Sequence, residues 1–129
     1  MDAPGRGLDA GTLDRAHGAL AGLALGDALG MPTQSFTRAQ VRQRFGLVPG
    51  LLEGPPDQPI APGMPAGSIT DDTEQAVLLA RVLVAGGGRV DPRVWATALL
   101  DWEAGMVARG SRDLLGPSTS RAVAAIRDG

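Results

Sequence analysis

The feature that most constrains this fold is a segment in the middle of the chain, residues 46–69, with six Pro and five Gly in twenty-four positions. Proline removes a backbone donor and glycine weakens a regular element, so no helix or strand survives that density of breakers. Loops longer than about 12–15 residues are uncommon in compact domains and are typically functional or disordered. The segment therefore predicts a long loop that leads directly to the acidic sequence "TDDTE" at 70–74.

The sequence before this loop predicts two helices. In "LDRAHGALAGLALGDALG", Leu and Ala recur at helical spacing, Thr12 is a candidate N-cap, and the helix should end near Gly30. "TRAQVRQRFG" predicts a short second helix, because Thr37 and Gln40 have the spacing of a capping box and Gly46 supplies a stop.

Three more helices are predicted after the loop. The first of them, from Thr70 to Ala85, is apolar over most of its circumference, so we expect it at the centre of the fold. Asp91 and Pro92 suit the start of the next, and Gly116 and Pro117 open the last, "STSRAVAAIR". Because no alternating apolar pattern of useful length predicts a strand, the expected class is all-α, an orthogonal multi-helix bundle.

Composition narrows the kind of protein. A chain of 129 residues fits one domain, which we place at residues 12–129 behind a flexible tail at 1–11. The net charge of -2, with both signs spread along the chain, gives no electrostatic footprint for nucleic acid or a membrane. No Cys is available for disulfides or thiolate metal sites, and the apolar runs are too short to span a bilayer. The first apolar run lacks the positive flank of a secretion signal, so we expect a cytoplasmic protein.

The adjacent acids Asp71 and Asp72 have two interpretations. Thr70 suits an N-cap, and acids in a first helical turn are stabilised by the helix dipole by about 0.3–1 kcal/mol each. Alternatively, carboxylate and hydroxyl oxygens are hard donors that suit Mg²⁺, Mn²⁺ or Ca²⁺. Two carboxylates about 4 Å apart repel by about 4 kcal/mol at an effective dielectric constant near 20, so a cation or a proton must offset them if they converge.

Two separated segments, "GALAGLALGDALGMP" at 18–32 and "GSITDDTEQAVLLARVLV" at 67–84, together resemble the N-terminal part of the ADP-ribosylglycohydrolase family, which includes the dinitrogenase reductase-activating glycohydrolases. The resemblance covers roughly residues 12–129. It implies an all-helical fold of which this chain is the N-terminal part. It also implies a site for two Mg²⁺ or Mn²⁺ ions and hydrolysis of the glycosidic bond that links ADP-ribose to a protein side chain or a small molecule.

The resemblance also implies roles for individual residues. Thr70, Asp71 and Asp72 correspond to the first metal motif of the family. The region of Gly116 and Ser118 corresponds to one near the diphosphate of the substrate, although the plain start of a helix explains these residues as well.

This sequence departs from the family pattern at two points. Many members carry Glu where Gln34 stands, and a neutral amide can bind a ribose hydroxyl or a water but cannot transfer a proton at pH 7. The identity of the catalytic acid or base therefore stays unknown. The family's later Asp-x-Asp-Thr motif has no counterpart after Asp72. We therefore expect a fragment with weak or no activity, an exposed apolar surface, and a complementing C-terminal half or self-association.

Two other functions compete with the hydrolase: a non-catalytic helical module that docks onto a partner, and a small scaffold whose "TDDTE" is only a cap. Asp27 is unusual on an apolar helix and lies either near the site or in solvent at the helix end. His17 is too isolated for a metal cluster or a catalytic triad. Trp95 and Trp102, two turns apart, are most simply core.

Overall fold

The computed structural model describes residues 9–110 and 116–128, and the all-α prediction is confirmed over them. The helices are α1 (Ala10–Gly30), α2 (Arg38–Phe45), α3 (Asp71–Ala85), α4 (Pro92–Ala108) and α5 (Pro117–Asp128), with a 3₁₀ turn at Met31–Thr33. Within the described ranges no helix combines the length and apolar character needed to cross a membrane.

The first helix begins earlier than predicted because its N-cap is Asp9 rather than Thr12. The Asp9 carboxylate accepts hydrogen bonds from the Thr12 backbone amide at 2.7 Å and from the Thr12 hydroxyl at 2.9 Å. Thr12 is therefore the donor in the cap. Ala10 and Gly11, which were predicted to belong to the tail, lie in α1, and residues 1–8 of that tail lie outside the described residues.

The local start signals of α2 and α4 are confirmed. Thr37 and Gln40 form both halves of a capping box at the start of α2. Asp91 accepts a hydrogen bond from the amide of Arg93 at 2.7 Å and so caps α4, directly before Pro92. These caps satisfy backbone donors that a helix start otherwise leaves open.

Helix α3 lies between two neighbours, packing against α1 and against α4, while α5 packs on α4. The prediction of a central α3 is therefore correct for its position, but not for its burial. Thr73 and Val82 are its buried residues, whereas Val84 is 80% exposed. Trp95 and Trp102 are half-buried rather than enclosed.

The breaker-rich segment is irregular, as predicted, and one buried side chain holds it in place. Gln58 donates from Nε2 to the backbone oxygen of Met31 at 2.8 Å. Its Oε1 accepts from the amide of Ile60 at 2.7 Å and from that of Ala61. The loop is thereby tied to the end of α1, and it brings Thr70 back to the same end of that helix.

Candidate functional site

The centre of the site is a hydrogen-bonded group that joins α1 to the start of α3. The Asp27 carboxylate accepts from the Thr70 backbone amide and from the Thr70 hydroxyl, both at 2.7 Å, and from the Thr73 hydroxyl at 2.5 Å. Thr70 and Thr73 are buried, 1% and 3% exposed. Asp27 therefore accepts from both buried threonines of the acidic motif.

The local sequence explains why these groups meet. Residues three apart at the start of a helix lie on one face, so Thr70 and Thr73 both point toward α1. Asp27 lies near the C-terminal end of α1, beside the point where the loop returns. Thr70 is the N-cap residue of α3, but it makes no side-chain capping bond, and its cap role is limited to its backbone oxygen, which accepts from the Glu74 amide at 3.2 Å.

Asp71 contacts a different part of the molecule. Its Oδ2 accepts from the backbone amide of Gly116 at 3.4 Å and from Nε2 of Gln75 at 3.3 Å. Gln75 also lies within hydrogen-bond distance of the Thr119 hydroxyl, at 3.4 Å. The start of α5 is therefore tied to the first turn of α3 through Asp71 and Gln75.

An open cleft of about 620 Å³ lies along α1 beside this group. Its polar lining consists of Asp27, Gln34 and Asp72, and the rest is Leu23 and the glycines at 22, 26 and 30. A Cβ atom added to any of these three glycines would meet nothing within 4 Å. The glycines therefore leave room for an occupant along α1, next to two carboxylates and an amide.

The pKa values of the two half-buried acids, Asp27 and Asp71, are shifted in opposite directions. Burial disfavours the charged form of Asp27, but the hydrogen bonds from Thr73 and Thr70 outweigh it and place its pKa below the usual value. Burial raises the pKa of Asp71, the Gly116 amide opposes that rise, and repulsion from Asp72 and Asp27 adds to it. Asp71 is thus repelled by two neighbouring acids at the start of α3, and a nearby cation would relieve that repulsion.

The structure brings together some of the predicted residues and separates others. Gln34 and Asp72 share the cleft, and Asp72 is exposed there. Gly116 meets Asp71, outside the lining of that cleft. Ser118 is exposed, and the hydrogen bond that its Oγ accepts from Arg121 at 3.3 Å lies within α5 and does not involve the acidic motif.

Sequence reasoning left Asp27 undecided and missed Thr73, Gln75 and Thr119. The signal for Asp27 was an acid on an otherwise apolar helix, and the structure resolves it in favour of the site. The signal for Thr73 was its position one turn after Thr70. No local pattern pointed to Gln75 and Thr119, because their contact joins residues 44 positions apart.

The donor set fits a hard divalent cation only in part. Two carboxylates and a hydroxyl are the ligand types that Mg²⁺ and Mn²⁺ prefer. However, no group of three or more His, Cys, Asp or Glu side chains in residues 9–110 and 116–128 is arranged to hold a metal ion. Thr70, Asp71 and Asp72 could supply three oxygens, and waters or other donors would have to complete the coordination.

Comparison with known proteins agrees with these observations. The sequence model of a family described as ADP-ribosylglycohydrolase matches residues 8–129. YegU of Escherichia coli, described as an uncharacterized protein, is 39% identical over 116 residues, which are 90% of this chain and 34% of YegU. No solved structure matches the chain.

Two relatives have names that state an activity. The ADP-ribosyl-[dinitrogen reductase] glycohydrolase of Rhodospirillum rubrum is 39% identical over 74 residues, 57% of this chain and 24% of that protein. The ADP-ribosylarginine hydrolase Tri1 of Pseudomonas putida is 38% identical over 90 residues, 70% of this chain and 21% of that protein. The matched region spans about a third of YegU and less of these two.

Proposed function

Because the chain belongs to the ADP-ribosylglycohydrolase family, we propose that it carries the first metal motif and part of the substrate cleft of a hydrolase that cleaves the glycosidic bond of ADP-ribose. The observation that best supports this function is the group formed by Asp27, Thr70 and Thr73 beside an open cleft. A cap alone would need neither the half-buried carboxylate from α1 nor the cleft.

Thr70, Asp71 and Asp72 are the proposed metal ligands, with Mg²⁺ or Mn²⁺ as the ion and two ions in the complete family site. Bound divalent ions anchor sugar hydroxyls and acidify or orient a water near the carbon where positive charge develops. Asp72 presents its carboxylate to the cleft from one side of the motif, and Asp71 lies against α5 on the other. Repulsion of Asp71 by Asp72 and Asp27 supports a cation near this motif.

The other residues have proposed roles in binding. Gln34 lies in the cleft, where its amide can donate to or accept from a ribose hydroxyl or a water. Gly116 lies at the start of α5, whose backbone amides favour a negatively charged group such as a phosphate. Ser118 belongs to the same helix start, but its hydrogen bond to Arg121 makes it the weakest of these assignments.

The proposed substrate is an ADP-ribosylated protein or a small ADP-ribose derivative, hydrolysed in the cytoplasm. The names of the Rhodospirillum and Pseudomonas relatives, which specify a modified dinitrogen reductase and ADP-ribosylarginine, support that class. Among the described residues, the cleft lining contains two carboxylates, an amide and no basic side chain. The negative charge of the diphosphate must therefore be neutralised by residues elsewhere or by bound cations.

Titration of the 129-residue chain with Mn²⁺ tests the metal assignment. We expect binding that Asp71→Asn or Asp72→Asn weakens by about tenfold or more, because each substitution removes a charged ligand. Asp14→Asn, which removes an exposed acid on α1 outside the proposed site, is the matched control and should leave Mn²⁺ binding unchanged. Absence of binding at millimolar Mn²⁺, or equal losses in all three variants, would contradict the metal assignment.

A second candidate function, a helical module that docks onto a partner, is favoured by one observation. Several large apolar side chains of α1 and α3 are exposed, among them Leu13, Leu25, Leu79 and Val84. Release of ADP-ribose from a modified substrate by the chain would favour the hydrolase. Metal binding without release would agree with a chain that carries only part of the hydrolase, whereas absence of both metal binding and release would leave docking onto a partner as the better account of this chain.

A further inference from the structure

The Thr70 hydroxyl is in an unusual position for a residue at the start of a helix. A hydroxyl has one proton to donate and two lone pairs. The proton of Thr70 goes to Oδ1 of Asp27 at 2.7 Å, and its backbone amide donates to Oδ2 at 2.7 Å. Since its proton is committed, the Thr70 oxygen can meet any further partner only through a lone pair.

This arrangement gives up a local interaction. A Thr at the N-cap ordinarily accepts a hydrogen bond from an amide in the first turn, which stabilises the helix by about 1 kcal/mol. Thr70 makes no such bond and is only 1% exposed. The negative charge that stabilises the N-terminus of α3 comes instead from the carboxylate of Asp27 on α1. The lone pairs of the hydroxyl oxygen therefore accept no hydrogen bond from the first-turn amides of α3.

We infer that Asp27 is a positioning residue for the proposed metal site, which acts by holding the Thr70 hydroxyl with its lone pairs available to a divalent ion. This inference rests on the proposed function. Carboxylates that hydrogen-bond a ligand fix its orientation and strengthen it as a donor, and their loss typically lowers metal affinity by about 10–100-fold. Asp27 would add its negative charge behind the ligand in the same way.

A purely structural role for Asp27 predicts something different. Its hydrogen bonds join α1 to α3, so any substitution that weakens this junction should lower stability. Thr73 separates the two roles, because its hydroxyl donates to the same carboxylate at 2.5 Å without belonging to the proposed ligand set. A Thr73 substitution weakens the junction and leaves the Thr70–Asp27 bonds in place.

The test compares Mn²⁺ binding, measured by electron paramagnetic resonance, with thermal unfolding for Asp27→Asn, Thr73→Val, Thr70→Val and the double variant of Asp27 and Thr70. We expect Asp27→Asn to weaken Mn²⁺ binding by about tenfold or more, as for other residues behind a ligand. Thr73→Val should lower the melting temperature but keep Mn²⁺ affinity within about twofold, since it is not a ligand. In the Thr70→Val background, Asp27→Asn should cause a smaller loss of Mn²⁺ affinity than in the wild-type background, because only the attraction of its charge then remains.

Three results would overturn the inference. The first is an Asp27→Asn variant with wild-type Mn²⁺ affinity, while Asp71→Asn still loses binding; the proposed metal site would then stand without a role for Asp27. The second is an equal loss of affinity in Thr73→Val and Asp27→Asn, which indicates a structural junction. The third is a wild-type chain that binds no Mn²⁺, which contradicts the metal site itself. If Asp27→Asn does not fold, Asp27→Glu keeps the charge but displaces the oxygens and serves the same comparison.

Discussion

Asp71 carries its charge in a setting that opposes it. The side chain is half-buried, and Asp72 and Asp27 both repel it, while one backbone amide and one side-chain amide donate to it. A group retained under such conditions is characteristic of a functional site, because proteins commonly give up some stability where a charge is needed for activity.

Replacement of Asp71 by Asn should therefore separate stability from metal binding. We expect the free energy of unfolding to stay equal or to rise by no more than about 1 kcal/mol, because repulsion is removed and Asn can still accept the Gly116 amide. Urea denaturation measures this change. A loss of more than about 2 kcal/mol would contradict it, since that is the size of a broken buried interaction.

Asp57 offers a prediction about pH at an exposed position. A hydrogen bond from Arg44 lowers the pKa of Asp57, and the two side chains form an ion pair between α2 and the long loop. A lowered folded-state pKa gives stability that is present above the unfolded value near 3.8 and is lost as pH falls through the folded value. The melting temperatures of wild type and Asp57→Asn should therefore differ slightly at pH 6 and converge below pH 3. A difference that persists at pH 2 would show that the pair is not its source.

At the scale of elements, helix starts were predictable because their signals are local. The capping box of Thr37 and Gln40 and the Asp91-Pro92 start need only neighbouring residues, and both are confirmed. The prediction of Thr12 as the cap was wrong because Asp9, three residues earlier, accepts from the Thr12 amide and so starts the helix before it. The contact between Asp27 and Thr70 joins residues 43 positions apart and depends on the path of the loop, so spacing could not reveal it.

The junction of α4 and α5 depends on a buried acid. Glu103 is 5% exposed, and Arg127, which is about half exposed, donates to it at 2.6 Å. Removal of the arginine alone leaves the buried charge of the acid uncompensated, whereas replacement of both partners leaves no buried charge. We expect Arg127→Met to lower the free energy of unfolding by about 1–3 kcal/mol, below the full value for a buried pair because Arg127 faces solvent.

The double variant Glu103→Gln with Arg127→Met checks the cause. It should recover at least half of the loss measured for Arg127→Met by urea denaturation, because no buried charge then remains. Additive losses would indicate that packing of the Arg127 stem, rather than charge, holds α5 to α4.

At the scale of the whole molecule, the distribution of apolar surface is uneven. The core includes Met31, Leu99, Met106 and Val123, all at most 4% exposed. By contrast, most of α1 from its start to residue 23 is exposed, leucines included. The sequence pattern of α1 and α3 predicted apolar faces correctly, but it could not say which of those faces a neighbouring element of this chain would cover.

One such face is a groove between α1 and α3, of about 390 Å³, lined by Leu20, Val77, Ala80, Arg81, Val84 and Ala85. Its lining is almost entirely apolar apart from Arg81, and exposed apolar patches of this kind favour association. We expect the chain to self-associate with rising concentration. Val84→Lys should reduce that association without loss of stability, because the side chain is 80% exposed.

Val94→Lys is the matched control, with the same substitution on α4 at a position 53% exposed and flanked by Arg93 and Asp101. Sedimentation velocity over a hundredfold range of concentration, with circular dichroism to verify folding, measures the effect.

A shift toward monomer in Val84→Lys but not in Val94→Lys would assign association to the α1–α3 groove. Equal shifts in both would indicate that net charge controls association, and an unchanged Val84→Lys would place the contact on another face, such as the exposed leucines of α1.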